Sequence, residues 1–145
     1  MFIETDYFGK IEVSENETIT FVSEIPGFPE SKTFVLIPYG DELPFWSLQS
    51  VDEPSCAFVV TNPFWHKADY AFELTDGAKD QLGIEEAEHV SVYSIVTLRD
   101  PFETSTINLQ APIVIETKER RGKQVILDDA YPSRYPLSGE KTEVR

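Results

Sequence analysis

An all-β fold is predicted: a small barrel-like or sandwich-like domain of about nine or ten short strands, with one or two short helices. Three observations predict it. Apolar residues fall in short β-branched and aromatic runs without helical spacing, and Gly, Pro, Asp and Asn punctuate those runs. The 145 residues, 41% apolar and 12% aromatic, suffice for one core and are few for two. With neither an internal repeat nor a long linker, a single domain over 1–145 is expected.

The elements follow in order. Phe2 to Tyr7 and Lys10 to Val13 flank a tight Phe8-Gly9 turn, and Thr18 to Val22 is a third β-rich run. Two prolines and a glycine in Ile25-Pro26-Gly27-Phe28-Pro29 enforce a rigid loop. Thr33 to Pro38 resumes extended structure, Asp41-Glu42 and Pro44 turn the chain, and Phe45 to Ser50 and Ala57 to Thr61 are strands separated by Asp52-Glu53-Pro54. An aromatic connection follows, with Pro63-Phe64-Trp65 and Asp69-Tyr70-Ala71-Phe72. Thr75 or Asp76 caps a brief helix that Gly83 stops, and Glu85 to Ala87 adds one helical turn. Val90 to Leu98 is a strand, Pro101 to Thr104 a loop, and Ile107 to Ile115 a long extended segment interrupted by Pro112. Arg120-Arg121-Gly122-Lys123 reads as a basic turn into a last strand, Gln124 to Leu127. Beyond Asp128-Asp129 comes a tail, 131–145, expected to be partly ordered near Tyr131 to Leu137 and frayed further on.

Charge narrows the partners. The net charge is −14, and it is uneven: residues 1–110 carry 20 acidic and 5 basic side chains, whereas 111–145 carry 6 and 7. Each phosphate contact needs a Lys or Arg, so most of the chain repels nucleic acid and anionic membranes. The electrostatic partner that suits it is a basic protein. Solubility alone is the plainer explanation of such acidity. The Met1-Phe2-Ile3-Glu4 start has neither the basic segment nor the apolar run of a signal peptide, and no run approaches the roughly 20 apolar residues of a bilayer span. A cytoplasmic protein is expected. The one cysteine, Cys56, permits no intramolecular disulfide and reads as a buried thiol at the start of a strand.

Reactive chemistry is hard to find. G-x-S-x-G, the P-loop and G-x-G-x-x-G are absent, and the two histidines, His66 and His89, stand far apart. Glu85, Glu86, Glu88 and His89 crowd one short stretch, which reads as a solvated helix end and not a metal site. Neighbouring carboxylates such as Asp41-Glu42 and Asp52-Glu53 occupy turns and point apart, whereas acid–base pairs must face one another. No enzymatic activity, cofactor or metal is expected. Binding surfaces are the better prospect. Phe64, Trp65, Tyr70 and Phe72 lie in a loop-like segment and either plug the end of the barrel or serve a partner; the tail residues Tyr131, Tyr135 and Leu137 pose the same choice.

Four blocks in order resemble the flagellar assembly factor FliW family over almost the whole chain. They are Ile25-Pro26-Gly27-Phe28 with Phe34-Val35-Leu36; Gln49-Ser50-Val51-Asp52 with Ala57-Phe58-Val59-Val60 and Pro63-Phe64; Thr106 to Ile115 with Gln124 to Leu127; and Tyr131, Arg134, Pro136 and Leu137. Ile107 and Glu116 depart from it, where the family often has Ala and Asn; the second bears on one turn hydrogen bond. The resemblance implies a small β-barrel-like protein without catalysis. It further implies binding to the carbon storage regulator CsrA, a small basic RNA-binding dimer that represses translation of flagellin message, and binding to newly made flagellin. Free protein would capture CsrA and relieve repression; flagellin-bound protein would let it return. A dedicated flagellin export chaperone without CsrA contact is the alternative, and a monomer is expected when free. The candidate binding residues are Gln49, Ser50 and Asp52, the aromatics Phe64 and Trp65, Asn108 and Gln110, and Tyr131, Arg134 and Pro136. For the Gln, Ser and Asn positions, hydrogen bonding at loops and strand ends is an equal reading.

Overall fold

The computed structural model describes residues 1–127 and 131–137. Its elements run β1 (Phe2–Thr5), β2 (Gly9–Glu12), β3 (Ile19–Phe21), β4 (Thr33–Pro38), β5 (Phe45–Ser50), β6 (Ala57–Thr61), α1 (Asp76–Leu82), β7 (Val90–Thr97), β8 (Thr106–Ile107), β9 (Ile113–Glu116), β10 (Arg121–Gln124) and β11 (Tyr135–Pro136). The predicted all-β class holds. β4, β5 and β6 match the predicted bounds in full, and α1 starts at a Thr75 cap and stops at Gly83. Thr75 Oγ1 accepts from the Ala78 N–H, and Gly83 takes the left-handed conformation, φ 71°, that a helix stop favours.

Seven strands close a barrel. From β7 the hydrogen-bonded order runs β6, β5, β4, β3, β10, β9, and β9 pairs β7 again. Every pair is antiparallel except β3–β10, which is parallel. Side chains alternate across a strand, so the registers fix one inward row around the ring. Ile19 faces Phe34, Leu36 faces Leu48, Leu48 faces Phe58, Val60 faces Ile95, and Tyr93 faces Ile113. Ile19, Phe34, Leu48, Cys56, Val60 and Ile113 are fully buried in that interior cluster. The barrel is therefore packed with side chains rather than hollow.

Two further clusters cover its outside. The β1–β2 hairpin packs Ile3 and Val13 against Val35 of β4. The other cluster spreads Tyr70, Leu82, Val96, Leu109, Val114, Leu127, Tyr135 and Leu137 over another part of the wall. Within it β11 pairs with β8, which pairs with the end of β7. Within the tail segment 131–137, Tyr135 and Leu137 are buried and Tyr131 is half-buried against the same cluster; its continuation, 138–145, and Asp128-Asp129 lie outside the described residues.

Several expectations need correction. Arg120 to Lys123 is not a basic turn: the turn is residues 117–120, and Arg121–Gln124 form β10. Two features move it. The Glu116 carboxylate accepts the Lys118 and Glu119 N–H groups, at 3.0 and 2.7 Å, and Arg120 adopts φ 60°. Gly122 then enters the barrel wall opposite Phe21, where no side chain would fit. Gln124 to Leu127 continues only through the bonds Val125 N–H to Pro112 C=O and Leu127 N–H to Gln110 C=O, so the ladder strand ends at Gln124. The long segment 107–115 divides into β8 and β9 around a turn built by Asn108. The helical turn at 85–87 is a 3-10 turn at Ala87–His89, and Pro101 to Thr104 contains another, Phe102–Thr104.

Candidate functional site

The segment after β6 builds a surface around one tyrosine. Asn62 Oδ1 accepts the Phe64 N–H at 2.9 Å and starts a 3-10 turn, Pro63–Trp65, whose proline is buried. That turn carries Phe64 and Trp65 outward, 40% and 58% exposed. Trp65 lies against Trp46, which meets Tyr93 edge-on at 5.6 Å. His66 ties the turn down: its Nε2 is 3.2 Å from Thr61 Oγ1 and its Nδ1 is 3.0 Å from the Leu137 carbonyl oxygen.

Tyr70 is the hub. It is buried, its hydroxyl donates to the Leu109 carbonyl at 2.6 Å, and its ring contacts Phe64, Phe72 and Tyr131. Burial pushes its phenol well above the ordinary tyrosine range, and the neighbouring Tyr131 adds to that. Tyr131 donates its hydroxyl proton to the Ala71 carbonyl and accepts the Ala71 N–H. Asn108 Oδ1 accepts the Gln110 and Ala111 N–H groups at 3.0 and 2.9 Å, which presents Leu109 inward to Tyr70 and Gln110 outward. Leu109 in turn donates its N–H to Pro132. Phe64, the Asn108–Gln110 turn and the tail at Tyr131 therefore converge, although they are distant in the chain. Arg134 and Pro136 are exposed beside them on the same tail, Pro136 opposite Thr106.

Gln49, Ser50 and Asp52 stand apart, at the other end of β5 and β6. Gln49 and Ser50 are buried and their polar atoms are used by the chain itself. Gln49 Nε2 donates to the Ser50 carbonyl at 3.1 Å. Ser50 Oγ accepts the Asp52 and Glu53 N–H groups and meets Ser31 Oγ, which also donates to the Glu53 carboxylate. Both residues hold the β5–β6 connection, and of the three only Asp52 reaches the surface. Cys56 is buried in the same corner; burial raises its thiol pKa, partly offset by a Ser31 hydrogen bond.

Beside the Tyr70 hub lies a groove of about 930 Å³. Phe64, Phe72, Leu74 and Ile84 form much of its apolar wall, and Val90 to Tyr93 of β7 line it too. Its charged lining is two carboxylates, Glu73 and Glu85, against one cation, Lys79. More broadly, residues 73–88 hold six carboxylates and that single lysine. Glu88 and His89 are 3.8 Å apart, and no group of three metal-capable side chains assembles among the described residues. Val90 and Val92 are half-buried and line the groove, which sequence reasoning did not single out because alternation in a β-branched strand marks a wall without saying which edge is covered.

Comparisons with known proteins bear on the whole chain. A family profile described as FliW protein matches residues 2–137. A flagellar assembly factor FliW from Exiguobacterium sp. (strain ATCC BAA-1283 / AT1b) is 86% identical over 145 residues, all of both chains. The Bacillus subtilis (strain 168) flagellar assembly factor FliW is 41% identical over 141 residues, 97% of this chain and 99% of that one. A crystal structure of the flagellar assembly factor FliW superposes with a TM-score of 0.91 at 43% identity, covering 98% of this chain and 100% of that one.

Proposed function

The chain belongs to the FliW family of flagellar assembly factors, and from that membership we propose that it binds CsrA, relieves its repression of flagellin translation, and also binds flagellin, so that synthesis follows assembly. It does this as a binding protein, without catalysis. The observation that carries the CsrA half is charge: 20 acidic against 5 basic side chains in residues 1–110 suit a basic RNA-binding dimer. The flagellin half is supported by the exposed Phe64 and Trp65 beside the groove, since aromatic residues give large contact area at low entropic cost. Asn108, Gln110, Tyr131, Arg134 and Pro136 border that surface and are proposed contacts, with Asp52 a separate one. A negative field beside the regulator's RNA-binding surface, with a shift in its conformational population, is the proposed route to inhibition.

Calorimetry with purified CsrA tests the reading. Binding at micromolar concentrations is expected, weakening as salt rises from about 0.05 to 0.3 M because exposed charges are screened. Absence of heat overturns the CsrA half, and a flat salt response removes charge as its basis. The exposed aromatics equally favour a flagellin chaperone that never meets CsrA. Under that reading, deleting the CsrA gene leaves the phenotype of losing this protein unchanged.

A further inference from the structure

We infer that the groove beside Tyr70 accepts an extended, basic segment of a partner protein, which adds a strand to the free edge of β7. The barrel has an open seam there. β7 spans Val90–Thr97, and one of its edges is occupied along almost its whole length, by β9 at Val90–Tyr93 and by β8 at Val96–Thr97. Its other edge meets β6 only at Ser94 and Ile95, because the chain leaves β6 at Asn62 for the Pro63–Trp65 turn. Among the described residues, Val90 to Tyr93 thus have a strand partner on one side only.

The direction of the backbone groups follows from the bonds that exist. Thr117 donates to the His89 carbonyl and Asn108 to the Ile95 carbonyl, so the odd-numbered residues of β7 turn their polar groups toward β9 and β8. The even-numbered residues turn theirs the other way, as the antiparallel pattern requires. Val90 uses its N–H on the Ala87 carbonyl. That leaves the Val90 carbonyl and both backbone groups of Val92 without a partner among the described residues, on two residues that line the groove. Past Asn62 the chain turns away from the ladder in Pro63–Trp65, and Pro63 has no N–H to donate.

These groups define the occupant. Three free backbone groups in one row match the alternating donors and acceptors of an extended chain, whereas a helix has spent its own. Phe72, Leu74 and Ile84 offer apolar contact for side chains on one face of such a strand. Glu73 and Glu85, with Asp76, Asp80, Glu86 and Glu88 nearby in the chain, set the sign of the other residues, since Lys79 is the one cation in the groove's lining and the nearby Arg121 guanidinium is bonded to the Leu82 carbonyl. The occupant is a protein segment that alternates apolar residues with lysine or arginine. This goes beyond CsrA or flagellin as named partners and concerns the chemistry of whichever segment is presented.

The test uses the full chain, isotope-labelled, and an acetylated, amidated hexapeptide alternating lysine and valine. Binding is expected to shift the amide signals of Val90 to Tyr93 most, and to protect the Val92 N–H from exchange. The same peptide with alternate backbone nitrogens methylated is expected to bind at least about fivefold more weakly, the loss of roughly one net hydrogen bond. Val92→Pro removes the donor at a position where an edge strand tolerates proline, and should weaken binding similarly. Should that variant not fold, the double variant Glu73→Lys, Glu85→Lys leaves the backbone intact and is expected to weaken binding about tenfold. Equal binding by the methylated peptide overturns the inference. So do shifts confined to other surfaces, preference for an amphipathic helical lysine–leucine peptide, and concentration-dependent pairing of the protein with itself through Val90 to Tyr93.

Discussion

At the residue scale, Gly122 shows how one atom can be excluded. A Cβ there would sit 2.8 Å from Phe21 Cε1 and 3.1 Å from Ile19 Cγ2, inside a packed barrel. Gly122→Ala is expected to cost about 1–3 kcal/mol in urea unfolding, the usual range for overpacking. Tyr70 makes a different prediction. Its phenol is held protonated above the ordinary tyrosine range, while the unfolded chain loses that proton near pH 10. Above that pH the unfolded state binds fewer protons than the folded one, so stability is complete below about pH 10 and falls as pH rises. Tyr93 is raised by burial in the same direction and shares the effect. Tyr70→Phe should be less stable at pH 8 by about 1 kcal/mol, from the lost bond to Leu109. It should also lose stability less steeply between about pH 10 and 11, which denaturant titrations at each pH will read. Glu116 closes the question of the family departure at that position: its carboxylate makes two turn hydrogen bonds.

At the element scale, α1 is too short to persist alone and depends on what it buries. Leu82, fully buried, anchors it against the outer cluster, and the Ile84 N–H bonded to Lys79 completes its stop. Leu82→Ala is expected to cost about 2–5 kcal/mol. Because Lys79 and Ile84 line the groove, the same change should speed hydrogen exchange at Ala78 and Ile84 more than in β4 or β5. The strands β4, β5 and β6 were legible because each is a β-rich run between prolines, glycines or acidic turns. β10 was not. Its Arg121-Gly122-Lys123 composition reads as a turn in any local window, and only the barrel's demand for a residue without a side chain opposite Phe21 makes it a strand.

For the whole molecule, the C-terminal segment is part of the fold rather than an appendage. Tyr135 and Leu137 are buried in the outer cluster, β11 extends the sheet, and the Leu137 carbonyl holds His66. Truncation after Leu127 should therefore lower thermal and denaturant stability by more than about 3 kcal/mol, the scale of losing one buried aromatic. Calorimetric unfolding of the shortened chain checks it; unchanged stability would mean the segment packs without holding the outer cluster together. The candidate site divides in the same way between sequence and structure. Ordered motifs brought out Phe64, Asn108, Gln110 and Tyr131, but the β5–β6 motif mixed two residues that hold a turn, Gln49 and Ser50, with one that reaches the surface, Asp52. By itself the sequence determined the all-β class, most of the strands, the family and the acidic character, because these rest on local pattern and composition. Tertiary structure alone decided that the barrel closes through β7 and β9, that Tyr70 gathers three distant segments, and that Val90 to Tyr93 of β7 have, among the described residues, a strand on one side only. The reason is physical: alternation fixes which face of a strand is apolar, whereas pairing between edges depends on where distant strands end.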